Sequence, residues 1–433
     1  MSSIVSDASA STGPSAYRWL VLGVLLLTQV LIQTSLYGPA AAASAIQKGL
    51  RIDNAQFGFG MAATNFSTTV FVVLSSVFVD RIGMNRTLAC GLGALALGGI
   101  TTSAISNLAG FALARGFQGL GIAIIYPVAS ALIMQWFPTE EKAYANTLFV
   151  AFAFVGTAVA FLSTSLMSVA GLSWKTSLFL PGLATLALML LWFLLAREPL
   201  SPVDARVQMH LVGRGSLAKA IRMPVIWTLA IALFACRWVH EAYLFFLPLF
   251  LQKEKGLSIH TSAHLASILP WSGVAGILIF GVLAKKATIQ KHLLLTSSGL
   301  VLLGSWPLLF GNGWQTVAGL VITGLGLSGL LPVHSTYIMS LPRITPSLVT
   351  AFLVVTNVTT HLAGFISPIA VGKVSQTSLG LKYALVFFSA MEVVAIASFA
   401  LLPATGNPQT VFEKTEFGEQ SLLAAPGNRL KDH

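Results

Sequence analysis

The sequence predicts an all-α membrane protein of twelve transmembrane helices in two pseudo-symmetric six-helix bundles. Three observations lead there. Of 433 residues, 55% are hydrophobic and only 9% are charged, with a mean hydropathy of +0.81; soluble domains carry about 25% charged residues. The apolar residues fall into runs of membrane-spanning length. Part of the first half also recurs in the second. Gly119-Leu120-Gly121, followed after five residues by Pro127-Val128, returns as Gly324-Leu325-Gly326 and Pro332-Val333.

In chain order the runs cover about 18–40, 57–79, 87–106, 108–134, 145–169, 176–196, 224–250, 262–284, 292–310, 314–341, 347–372 and 381–403, each able to cross about 30 Å as a helix. Residues 1–17 form a Ser-rich polar tail and 404–433 a second polar tail, both of a composition that does not pack a core. Arg18, the run Trp19 to Ile32 and Ala40 to Ala45 imitate a cleavable signal peptide, but the even count needs this segment as a retained helix. The longest internal loop, 197–223, divides the chain into bundles 18–196 and 224–403. With both termini cytoplasmic, sixteen Lys and Arg residues lie on the inner side and seven outside. That bias orients the chain in the cell (inner) membrane.

The repeat extends beyond the glycines. Ser76 and Asp80-Arg81 match Gly281 and Lys285-Lys286 at the same 205-residue offset, and Lys48-Gly49-Leu50-Arg51-Ile52 matches Lys255-Gly256-Leu257-Ser258-Ile259 at 207. Repeated halves place a transport site near the midplane between them.

The net charge of +11 is scattered through loops and implies no nucleic-acid partner. Cys90 and Cys236 form neither a metal spacing nor a disulfide framework. No nucleophile triad, metal motif or phosphate loop is present, so neither an enzyme, a cofactor nor ATP-driven transport is expected.

A charge inside a span costs a few kcal/mol unless it faces a cavity or a partner. Arg115 lies about seven residues into the fourth run, roughly 10 Å from its end. Its fork suits a carboxylate; equally, it suits neighbouring backbone carbonyls. Arg237 lies near the middle of the seventh run. Glu241 is four residues on, with His240 beside it, so one helix face carries all three. Arg237 is the candidate anion anchor, and Glu241 or His240 the candidate proton carrier; the bland reading is a self-neutralised pair. His361 and Asn357 share a face of the eleventh run, and His334 follows Pro332 in the tenth. Tyr37, Asn65, Tyr126 and Trp271 are candidate cavity residues. Glu392 in the twelfth run is expected to find a partner on a neighbouring helix. Gly116, Gly119, Gly121, Gly324, Gly326 and Gly329 are read as close-approach positions.

The loop Ser76-Val-Phe-Val-Asp80-Arg81-Ile-Gly83-Met84-Asn85-Arg86 resembles the major facilitator superfamily signature Gly-x-x-x-Asp-Arg-x-Gly-Arg-Arg between the second and third spans. It departs at Ser76, Met84 and Asn85. Arg115-x-x-Gln118-Gly119 resembles that superfamily's fourth-helix motif. Ala55-Gln56-Phe57-Gly58, Pro127 to Trp136-Phe137-Pro138 with Glu140-Glu141-Lys142, and Ser173-Trp174-Lys175 are most similar to its organic-anion (anion:cation) symporter branch. The resemblance implies the major facilitator fold, rocking-switch alternating access and a gating role for Asp80, Arg81, Gly83 and Arg86. The span-five Gly-Pro pair of the antiporters is absent, since Thr157 follows Gly156. The first run has no acid, offering Gln29, Gln33, Thr34 and Tyr37. Together these readings predict a secondary transporter of a small organic anion, a monocarboxylate, coupled to a proton or another ion. Export of a neutral or cationic compound, and a non-transporting membrane receptor, stay open as alternatives.

Overall fold

The computed structural model describes residues 17–72, 74–197, 214–342 and 344–404. The N-terminal tail, most of the central linker and the C-terminal tail lie outside the described residues.

Eleven of the described helices are long and apolar enough to cross a membrane: Tyr17–Ala41, Met84–Ala104, Leu108–Trp136, Thr139–Val169, Trp174–Leu195, Pro224–Lys253, Ile259–Leu283, Ala287–Phe310, Trp314–Met339, Ser347–Val374 and Gly380–Leu401. The second expected span fills the remaining place in two pieces, Asn54–Phe71 and Leu74–Ile82. Its first piece carries Asn54, Gln56, Thr64 and Asn65 among its apolar residues, which dilutes its hydropathy. The twelve crossings are called the first to twelfth spans below.

The repeat is structural, and local capping shows why. Asp53 caps the second span by accepting from the Gln56 amide; Ser258 caps the eighth by accepting from the Thr261 amide. Each capping side chain satisfies one of the amide groups a helix start leaves open. Just before each cap the chain turns through a left-handed residue, Arg51 (φ 55°) and Gly256 (φ 66°). Arg51 and Gly256 stand 205 residues apart. The loops therefore align at the offset of the glycines, two residues away from the pairing the Lys-Gly-Leu motif suggested.

The glycines act at helix crossings. A methyl group at Gly119 would collide with the Thr64 carbonyl and Ser67 of the second span; at Gly324 it would meet the Leu269 carbonyl and Ser272 of the eighth. At Gly121 it would lie 2.6 Å from the Gly91 carbonyl oxygen of the third span, and at Gly326 it would lie 2.6 Å from the Ser297 oxygen of the ninth. The fourth span thus wedges between the second and third, and the tenth between the eighth and ninth. Gly329 packs on the Phe280 ring. Gly116 departs from the expectation: nothing lies within 4 Å of its missing side chain.

The halves join from the midplane to the ends far from the termini. Asn65 Nδ2 donates to the Gly364 carbonyl at 3.0 Å, Asn54 to Ser375 Oγ at 2.9 Å and Ser44 to Gln252 Oε1 at 2.5 Å. Ser165 Oγ and His260 Nδ1 lie 2.5 Å apart. On the terminal side, bonds among the described residues brace the N-terminal half. Arg18 pairs with Glu141 at 2.9 Å. In the signature loop, Gly83 holds φ at 80° and starts the third span, while Asp80, Arg81 and Arg86 are exposed. Asn85, which replaces a basic residue of the signature, donates to the Arg197 carbonyl at 2.8 Å and accepts through its own carbonyl from Trp192 Nε1 at 3.0 Å. It ties that loop to the end of the sixth span.

Substituting Gly119 or Gly324 by Val should destabilise the protein by about 1–3 kcal/mol through overpacking, seen as a lower thermal midpoint in detergent. Gly116→Val should shift it little. An equal loss at Gly116 would contradict the helix contacts described.

Candidate substrate site

The first and seventh spans cross at the centre of the molecule, where the seventh carries a buried charge pair. Both begin on the terminal side, and Ser44–Gln252 joins their far ends, so they run the same way. Arg237 sits in the middle of the 30-residue seventh span. Its guanidinium forms an ion pair with Glu241 one turn on, and Nη1 lies 3.4 Å from His240 Nδ1. Glu241 is fully buried, whereas 29% of the Arg237 side chain stays accessible. Across the bundle interface, Tyr37 of the first span donates its hydroxyl to Glu241 Oε1 at 3.4 Å. His240 Nδ1 is 3.6 Å from the same oxygen, and its ring meets Phe154 of the fifth span edge-on. The second carboxylate oxygen, Oε2, has no hydrogen-bond partner. One buried carboxylate therefore gathers an arginine, a histidine and a tyrosine from both halves.

Arg115 is placed differently. It is 2% exposed and its guanidinium is used by backbone. Nη1 donates to the Ser35 carbonyl and to Gln118 Oε1, both at 2.6 Å, and Nη2 donates to the Leu36 carbonyl at 3.0 Å. The sequence explains the need. Pro39 lies inside the first helix, and proline has no N–H for the carbonyl four residues before it, that of Ser35. Arg115 fills that vacancy from the fourth span. These partners are the backbone carbonyls that the second reading of Arg115 expected, together with Gln118.

Tyr126, partly exposed, meets the Phe149 ring of the fifth span edge-on, and its hydroxyl accepts from Gln29 Nε2 at 3.3 Å and Gln33 Nε2 at 3.1 Å. Gln29, Gln33 and Tyr37 follow one another at intervals of four on one face of the first span. Since Tyr37 meets Glu241, Gln33 stands level with Arg237, one turn earlier on each helix. His361 of the eleventh span is half-buried and lies within electrostatic reach of Arg237 and Glu241.

Three candidates are not brought into this group. Trp271 is 45% exposed and shares an outward stripe of the eighth span with Leu278, Ile279 and Val282, while Gly273 and Gly276 of that span face Phe154 and the tenth span. His334 makes hydrogen-bond contacts with the Leu330 carbonyl and Ser335 of its own helix, at 3.3 and 3.4 Å. Asn357 is exposed although His361, four residues on, is half-buried. Four residues turn a helix by more than a full circle, so an i,i+4 pair at the edge of a face can divide between two environments. Glu392 does find neighbours on other helices, but inside the C-terminal half: Cys236 Sγ is 3.7 Å from its Oε2 and 3.4 Å from Ser298 Oγ. Among the described residues no cluster of metal-ligating side chains occurs.

The chain is 23% identical to the D-galactonate transporter of Escherichia coli O6:H1 over 434 aligned positions, covering 90% of this chain and 96% of that one. It is 24% identical to the galacturonate transporter of Dickeya chrysanthemi over 58% of this chain and 76% of that one. The fold superposes on a bacterial homolog of the human lysosomal transporter Spinster with a TM-score of 0.75 at 16% identity, covering 90% and 98% of the two chains. The Major Facilitator Superfamily profile matches residues 25–368, and the chain is a member of that superfamily of membrane transporters.

Proposed function

We propose that the protein moves a small organic anion with one carboxylate across the membrane by alternating access, in symport with a proton, with both termini cytoplasmic. The observation that carries the reading is Arg237 at the midplane, its side chain 29% accessible, neutralised by a fully buried carboxylate. Arg115 donates to backbone carbonyls, whereas Arg237, deep in the seventh span, pairs with side chains. Its planar fork suits a carboxylate. The relatives that carry galactonate and galacturonate act on acids of this kind.

The pair also accounts for coupling. An incoming carboxylate competes with Glu241 for Arg237. A buried carboxylate stripped of its cation is strongly unfavourable, so Glu241 must take a proton as the substrate displaces it. His240, partly exposed and adjacent, offers the proton a route, and Tyr37 marks the change in the other half. Substrate and proton enter the site together. When both leave, the Arg237–Glu241 pair re-forms and the empty carrier returns.

Removing Arg237 alone would strand Glu241, at a cost of about 3–5 kcal/mol. The informative variant is therefore Arg237→Gln with Glu241→Gln. A thermal-shift series of monocarboxylates, aromatic acids, sugar acids and nitrate should show stabilisation by one anion class in the wild type and none in the double variant. Stabilisation only by neutral or cationic compounds would overturn the anion reading. In proteoliposomes, an inward proton gradient should drive accumulation of the stabilising anion by the wild type. Glu241→Gln should keep exchange of anion for anion and lose that accumulation; gradient-driven uptake by this variant would remove Glu241 from the coupling step. Arg115→Gln should lower the yield of folded protein, by roughly 1–3 kcal/mol for each carbonyl left unpaired. A well-folded variant with impaired anion binding would instead place Arg115 in the site.

A further inference from the structure

The ninth and twelfth spans pack side by side in the C-terminal half. The twelfth is interrupted at Ala390, between Gly380–Ser389 and Met391–Leu401. The small residues at the break, Ser389 and Ala390, border a groove of about 210 Å³ between the two spans. Leu302, Trp306 and Phe310 form one wall, and Val386, Ala390 and Val393 the other. Trp306 is 69% exposed and Val393 54%, so the groove opens on the face turned to the bilayer. Its two hydroxyls are engaged: Ser305 Oγ donates to the Val301 carbonyl at 2.6 Å, and Ser389 Oγ to the Leu385 carbonyl at 2.7 Å. The remaining lining is apolar. Such a groove holds hydrocarbon in preference to water, which needs two to four polar partners.

One end of the groove is positively charged. Lys382 Nζ lies 4.4 Å above the Phe310 ring, on the side away from the termini. Lys255, in the loop after the seventh span, donates to the carbonyl of Gly311, the residue that follows Phe310. Burial, and then the charge of Lys382, lower the Lys255 pKa, so the two ammonium groups feel one another. Glu254 approaches Gly380 nearby. Two lysines against one glutamate leave this end with excess positive charge, and neither lysine forms an ion pair among the described residues.

We infer that the groove between the ninth and twelfth spans holds an acyl chain of an anionic phospholipid from the leaflet opposite the termini, with Lys382 and Lys255 on its phosphate. The site is separate from Arg237 and does not depend on which anion is transported. The lengths agree. From Phe310 to Leu302 is eight residues, about 12 Å of helix, so a chain entering beside Lys382 runs past Ala390 toward the bilayer centre. A second copy of this protein fits the patch poorly. A twofold contact between parallel copies sets the same residues face to face, which brings Lys382 toward Lys382.

The test is native mass spectrometry of the purified full-length protein, offered equal amounts of phosphatidylglycerol and phosphatidylcholine with matched chains. The wild type should retain one lipid tightly and prefer phosphatidylglycerol roughly twentyfold, about fivefold for each lysine near an anionic head group. Lys382→Gln should divide that preference by about five. Ala390→Phe fills the groove from an exposed position and should remove the tightly held lipid of either kind. Leu401→Phe, 80% exposed at the other end of the same span, should keep it. Equal retention of the two lipids, or a preference unchanged in Lys382→Gln, would overturn the proposal. So would tightly held lipid that survives Ala390→Phe, or that Leu401→Phe removes equally well. A lipid-free dimer that Ala390→Phe dissociates would assign the groove to a second copy instead. Where Ala390→Phe yields no folded protein, the ratio measured on Lys382→Gln decides alone.

Discussion

An ion pair in the middle of a membrane is the constraint on which the site depends. Hydrocarbon offers no water to an arginine or a glutamate, so each is stable there only beside the other or beside an aqueous cavity. Arg237 and Glu241 meet the first condition by standing one helical turn apart. Their unequal burial meets the second for Arg237 alone. Arg237 stays partly accessible while Glu241 is fully buried. Tyr37 ties the pair to the other bundle, because its hydroxyl reaches Glu241 across the interface.

The rest of the fold holds that crossing in place. Backbone groups in lipid must be satisfied within the protein, and Pro39 leaves the Ser35 carbonyl open in the helix that carries Tyr37. Arg115 closes the vacancy from the fourth span. The fourth span is itself seated by Gly119 and Gly121 against the second and third, and the tenth by Gly324 and Gly326 against the eighth and ninth. Bonds between the halves run from Asn65–Gly364 outward, whereas Arg18–Glu141 and Asn85–Arg197 brace one half alone on the terminal side. The halves also share an apolar core, in which Tyr37 and Phe57 of one half pack on Phe245 and Phe246 of the other.

Much of the site was legible where it is local. Arg237, His240 and Glu241 are on one helix, and intervals of three and four residues place them together with no knowledge of the fold. Arg115 stood out as a buried cation, but its partners are carbonyls about eighty residues earlier in the chain. Only the proline at position 39 hinted that one of those carbonyls was open. Trp271 and Asn357 look like cavity residues by type, and a sequence without regular amphipathic contrast gives no way to tell lipid-facing from cavity-facing sides of a wholly apolar helix. Gln29 and Gln33 were visible as polar residues in the first span. Their meaning came from Tyr126, which folding brings against them from the fourth span.

The sequence by itself determined the class of protein, the crossings and their twofold repetition. Those properties depend on hydropathy, on capping residues such as Asp53 and Ser258, and on glycines at fixed spacing, all of which act within one or two turns of chain. It also determined that opposite charges would meet at the midplane. Only the tertiary structure decided which arginine bonds the carbonyls of a proline-broken helix and which pairs with a carboxylate. It alone set Tyr37 on Glu241 and Tyr126 on the two glutamines. These choices turn on the rotation of one helix about its axis against its neighbours, and packing across many spans fixes that rotation.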